Sequence, residues 1–147
     1  MKSLRNAYKT SPKLETDGVY FETGNTRVRL RRAGGANTAF NLAMVKVAKD
    51  HKRAIDLDLM GEEKANRLLY ELYAEHVVVS WETNVGSDEH PEWVDGIDDG
   101  NGGVIPATFD NIVATFTDIP DYFAECKGNA ESLQYYREAL IAQTVKN

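Results

Sequence analysis

"GVYFETGNTRVRLRR", residues 18–32, reads as two alternating runs joined at Gly24-Asn25, a two-residue hairpin turn signal. Pairing across that turn sets the register: Thr23 faces Thr26, Glu22 faces Arg27, Phe21 faces Val28, Tyr20 faces Arg29 and Val19 faces Leu30. Because side chains alternate along a strand, Val19, Phe21, Val28 and Leu30 share one face, while Tyr20, Glu22, Arg27 and Arg29 share the other. The first face is core and the second is wet. On the wet face the register predicts a Glu22–Arg27 charge pair and Arg29 over the Tyr20 ring, each contributing up to about 1 kcal/mol. The arginines are thereby explained as the solvated side of a hairpin. Any function of Arg27, Arg29 and Arg31 beyond that is contact with a neighbouring protein.

The segment after the hairpin is a joint. "RAGGAN" has neither the spacing of a phosphate loop nor that of a dinucleotide fingerprint, so it serves as a flexible exit, with Asn37 or Thr38 capping the next helix. That helix is predicted over about Thr38 to Asp50, with Phe40, Met44, Val47, Ala48 and His51 along one side. "AIDLDLMG" alternates apolar and acidic residues and reads as a short extended segment ended by Gly61. "EEKANRLLYELYAEHVVVSW" then reads as one long helix from Glu62 to Trp81, striped by Ala65, Leu68, Leu69, Leu72, Tyr73, His76 and Val79. His76 on that stripe is a core residue, since no second histidine stands at the spacing of HExxH.

Between Glu82 and Pro106 lies a glycine-rich acidic loop with no Lys or Arg. Its aspartates lack the oxygen spacing and terminal glutamate of an EF-hand. The Asp88, Glu89, His90 cluster offers at most opportunistic divalent-metal binding, and the loop is read as solvated. Three helices come after the loop: one capped by Thr108 with Phe109, Ile112, Val113 and Phe116 inward, one from Asp118 to Gly128 with Pro120 in its first turn, and one from about Asn129 to Val145 burying Leu133, Tyr136, Leu140 and Ile141. The expected fold is thus α+β, mainly α: an N-terminal β-hairpin followed by about five helices. It forms a single domain over 17–147, behind a mobile N-terminal segment 1–16 and with the acidic loop at 82–106.

Composition narrows the function. The chain has 147 residues, and its 23 Asp and Glu against 17 Lys and Arg give a formal charge of -6, which argues against nucleic-acid binding. No apolar run suits a secretory signal or a membrane span. The one cysteine, Cys126, has no neighbouring base and reads as an incidental free thiol in a reducing compartment. No arrangement of serine, histidine and aspartate, paired cysteines or glycine-rich turn supports an enzyme, a cofactor or a metal.

The order of segments carries more than any one of them. It runs from "ETDGVYF" through the arginine-rich strand and "RRAGGAN", then "LYELYAEHVVVSW", a Gly- and Asp-rich loop, "IPATFDN", "DIPDYF" and "YYREALIAQTVKN". From about Leu14 to Asn147 this order resembles the tail assembly chaperone family of long-tailed bacteriophages. The resemblance implies a non-catalytic protein of the host cell cytoplasm, absent from the mature virion, several copies of which coat the tape measure protein until tail tube subunits assemble around it. In that family a longer frameshifted form, reaching the tail tube protein, is commonly made; the terminal Val-Lys-Asn is compatible with a slippery codon run. The physics suits the role, because apolar helical stripes on an unassembled tape measure need shielding, and a negatively charged coat keeps the complex soluble. Leu68, Leu72 and Trp81 are the client anchors this reading suggests. The alternative is a structural virion component, a tail-tube or head-to-tail connector protein, which would remain in purified particles.

Overall fold

The computed structural model describes residues 3–146, with side chains through Gln143. Met1 and Lys2 of the N-terminal segment lie outside the described residues. So do Asn147 and the side chains of Val145 and Lys146, on which the slippage expectation rests.

Two short helices come first, α1 (Leu4–Ala7) and α2 (Pro12–Asp17), each capped by a serine hydroxyl, Ser3 and Ser11, that accepts from a backbone N–H in the first turn. The hairpin is next, as β1 (Val19–Thr23) and β2 (Thr26–Leu30), in the register the turn dictates, from Thr23 opposite Thr26 to Val19 opposite Leu30. Helix α3 (Thr38–Asp50) is capped by the Asn37 carboxamide, which accepts from Phe40 N at 3.3 Å. Asn37 is buried and also donates 2.9 Å hydrogen bonds to the carbonyls of Arg32 and His76. One side chain therefore ties the hairpin exit to the start of α3 and the end of a later helix.

Of the segment expected to be extended, residues 54–61, the first three close a short helix, α4 (Lys52–Asp56), with Lys52 and Asp56 paired one turn apart at 2.5 Å, and the rest is turn and irregular chain. Ala54, Ile55 and Asp56 fit either state, and the i,i+4 charge pair favours the helix.

The main correction concerns the segment read as one helix to Trp81. Helix α5 (Glu62–His76) stops, and β3 (Val78–Asn84) begins two residues later. Val77, Val78 and Val79 are β-branched, and a pleated surface suits them better than a helix. Here the edge of β2 offers such a surface. β3 pairs antiparallel with β2, Arg27 opposite Glu82 and Val28 opposite Trp81, with a bulge between Arg29 and Leu30. The acidic loop supplies β4 (Trp93–Asp95), which adds to β3 and completes a four-stranded sheet ordered β1-β2-β3-β4; β5 (Ile97–Asp98) and β6 (Val104–Ile105) make a separate two-stranded ribbon. The class is α+β, but the mainly helical plan of a lone hairpin and five helices is overturned. Gly96 makes the switch from β4 to β5, at φ 137, where a Cβ would come within 2.7 Å of the Ile105 carbonyl.

Helices α6 (Phe109–Asp118), α7 (Pro120–Glu131) and α8 (Leu133–Lys146) close the fold. α7 runs through Gly128 rather than ending there, because Cys126 and Ala130 are buried on its inner face and that packing outweighs the roughly 1 kcal/mol that a helical glycine costs. In α8 Tyr136 is buried, Leu133 and Leu140 are half-buried and Ile141 is exposed. In α3 only Phe40 is fully buried; Met44 is partly exposed and Ala48 exposed.

The core lies between the inner face of the sheet and helices α5, α6 and α7, and it is largely aromatic. Phe123 meets Tyr70, Tyr73 and Phe116 edge-on at 4.6, 5.0 and 5.1 Å, and Phe40 meets Tyr73 at 5.5 Å. At the bulge, the buried Tyr136 hydroxyl donates to the Leu30 carbonyl at 2.7 Å. Replacing Tyr136 by Phe keeps the ring and deprives that carbonyl of its donor. Urea unfolding should show a loss of about 1–2 kcal/mol.

Candidate functional site

A cleft opens at one end of the sheet, between the β1–β2 turn, the β5 segment and the α6–α7 junction, with a volume of about 500 Å³. Its apolar wall is made by Trp81 of β3, Ile97 of β5, Ile119 between α6 and α7, and Tyr122 of α7. Trp81 is held edge-on by Tyr122, with ring centroids 5.4 Å apart, and tilted on Phe116 at 5.9 Å. It is 3% exposed, and its indole Nε1–H is buried without a hydrogen-bond partner among the described residues. Ile119 is about half exposed at the mouth.

The rim is acidic: Asp98, Asp121 and Glu125 line the opening. Asp98 accepts from Asn25 Nδ2 at 2.9 Å and from the Gly100 amide at 2.8 Å. These two bonds, the Asn25 one foremost, hold its carboxyl below the usual carboxylate range. Glu125 accepts from the Thr23 hydroxyl, which ties α7 to the end of β1. Inside the wall, burial drives the Tyr122 phenol upward, so it stays neutral.

Cys126, one turn beyond Tyr122, is 1% exposed, and burial pushes its thiol up to about 12. A thiol held neutral and shut in is no nucleophile. In native protein at pH 8, Ellman's reagent should therefore leave Cys126 unmodified over minutes, whereas denatured chain should react at once.

The sequence-selected residues fall in two places. Arg27, Arg29 and Arg31 are half-buried and engaged. Arg27 pairs with Glu82 of β3 at 2.9 Å rather than with Glu22, because Glu82 is its neighbour on the other side; its guanidinium lies 4.3 Å from the Trp93 ring and 5.2 Å from Tyr20. Arg29 stands over Tyr20 at 5.4 Å, and Arg31 Nε donates to the Thr16 carbonyl at 2.7 Å. The second place is the interior: Leu72 and Trp81 are buried and Leu68 is half-buried, and of these three Trp81 reaches the cleft. Ile97 escaped sequence reasoning because it lies in the segment read as a loop, and Ile119 and Tyr122, three apart at the start of α7, because no spacing links them to Ile97 or Trp81.

The acidic loop folds on itself. Asn84 Oδ1 accepts from the Gly86 and Glu92 amides at 2.9 and 2.8 Å, and Asp99 Oδ1 from the Asn101 and Gly103 amides at 2.7 and 3.1 Å. Asp88, Glu89 and His90 are exposed, and no group of three His, Cys, Asp or Glu suited to a metal occurs among the described residues. No described helix is long and apolar enough to cross a membrane. The arrangement thus offers a concave apolar surface with a fixed negative rim, suited to binding.

A family model described as YdaY prophage protein matches residues 35–147, from the glycine joint onward, and so takes in the cleft's β3, β5, α6 and α7 walls. Comparison with curated proteins and with solved structures finds no match.

Proposed function

The chain belongs to the YdaY prophage protein family and is phage-derived; from that premise we propose that it is a non-catalytic tail assembly chaperone that binds and solubilises the tape measure protein in the host cytoplasm. The observation carrying this reading is the acid-rimmed apolar cleft, a shape that takes an apolar side-chain stripe out of water while leaving charge at the surface. The net charge of -6 supports it, since a coat of such chains repels its neighbours and keeps an otherwise insoluble filament dispersed. The order of sequence segments resembling the tail chaperone family supports it independently.

The test is co-expression with the tape measure protein of the same genome, purification on a tag, and a count of copies per tape measure. A soluble complex with several copies is the expected result. If the tape measure remains insoluble and this chain is recovered in purified tails, the chaperone role is excluded in favour of a structural one.

A further inference from the structure

We infer that the client enters the cleft as an amphipathic helix whose apolar stripe is flanked by lysine or arginine. This rests on the chaperone reading and assigns its contact surface. Two observations carry it. The wall is apolar, and Ile119, about half exposed, carries that apolar surface outward. The rim residues Asp98, Asp121 and Glu125 present negative charge with no lysine or arginine lining the cleft, so a client bearing cations beside its stripe is complementary and one bearing carboxylates is repelled.

The probes are two 18-residue helical peptides with leucine at three- and four-residue spacing, one with lysines beside the stripe and one with glutamates, titrated into the full chain by fluorescence anisotropy. The lysine peptide should bind at least tenfold tighter at low salt, with the difference shrinking as salt rises. The Asp121→Asn, Glu125→Gln double variant should reduce that ratio at least threefold. Ile119→Ser should weaken the lysine peptide about tenfold. Ile119 is the N-cap of α7 and makes no capping hydrogen bond, and serine is favoured there, so this variant is expected to fold.

Failure of the wild-type chain to bind either peptide, equal binding of both, or unchanged binding by Ile119→Ser overturns the cleft assignment. Running Ile119→Ser through the tape measure co-purification separates the two levels. A complex as abundant as that of the wild type overturns the cleft and leaves the chaperone reading intact; a wild-type chain that solubilises no tape measure overturns the chaperone reading itself.

Discussion

Trp81→Ala is expected to lower the free energy of unfolding by about 3–5 kcal/mol, a large share of the roughly 5–15 kcal/mol that holds an ordinary domain folded. The ring is 3% exposed and packed between Phe116 and Tyr122, so its removal both forfeits apolar burial and opens a void that three elements would have to collapse to fill. Trp81→Phe separates the contributions. It leaves a smaller gap and deletes the unpartnered Nε1–H, so it should cost about 1–2 kcal/mol, well below a plain reckoning of lost area. Urea titration followed by circular dichroism measures both. A Trp81→Ala loss below about 1 kcal/mol would show that the tryptophan does not hold the sheet to α6 and α7.

Glu15→Ala is the second large effect, expected at about 3 kcal/mol. Glu15 is buried, pairs with Arg32 at 2.6 Å and accepts from the Thr10 hydroxyl at 2.7 Å. Removing it leaves the mostly buried Arg32 guanidinium, whose Nε already has no partner among the described residues, without its counter-charge. Adding Arg32→Met removes the stranded charge, and the double variant should recover half or more of the loss. A double variant no better than Glu15→Ala would put the stabilisation in packing rather than charge. Gly35→Ala attacks the same pair from another side. Gly35 sits at φ 51, and a Cβ there would overlap Glu15 Oε2 and lie 2.9 Å from Arg32 Nη1, so alanine must displace the carboxylate. The second glycine of "RAGGAN" is thus needed for a close approach to a buried ion pair, which the sequence alone shows only as a flexible joint.

Where local rules governed, the sequence was legible. The Gly24-Asn25 turn and strict alternation gave the β1–β2 register residue by residue, and Asn37 and Thr108 marked the starts of α3 and α6. Where a distant neighbour decided the outcome, it was not. The run Val77 to Trp81 continues the apolar stripe of α5 and offers no internal stop; only the edge of β2, some fifty residues earlier, makes it a strand. The same pairing, by setting Glu82 opposite Arg27, took Arg27 away from Glu22. The cleft was illegible for the same reason, since Trp81 looked like the end of a helix and Ile97 like part of a loop. The acidic excess between residues 82 and 106 was plain, but not that Asp98, locked to Asn25, would join two carboxylates of α7 around one opening.

The placement of β2 has a consequence for how the chain acquires its structure during synthesis. The hairpin's inner strand depends on later sequence: β3 covers its free edge, and the Tyr136 hydroxyl reaches the Leu30 carbonyl from 106 residues away. An emerging hairpin of two five-residue strands is marginal alone, and non-local pairing is slow because long loops must close first. The nascent chain therefore leaves the ribosome with Val28 and Leu30 unsheltered until β3 is made, and with the Leu30 carbonyl lacking its Tyr136 donor until α8. A ribosome that stalls before codon 78 carries a hairpin with one bare edge rather than a half-built domain, and quality-control proteases would meet it as such.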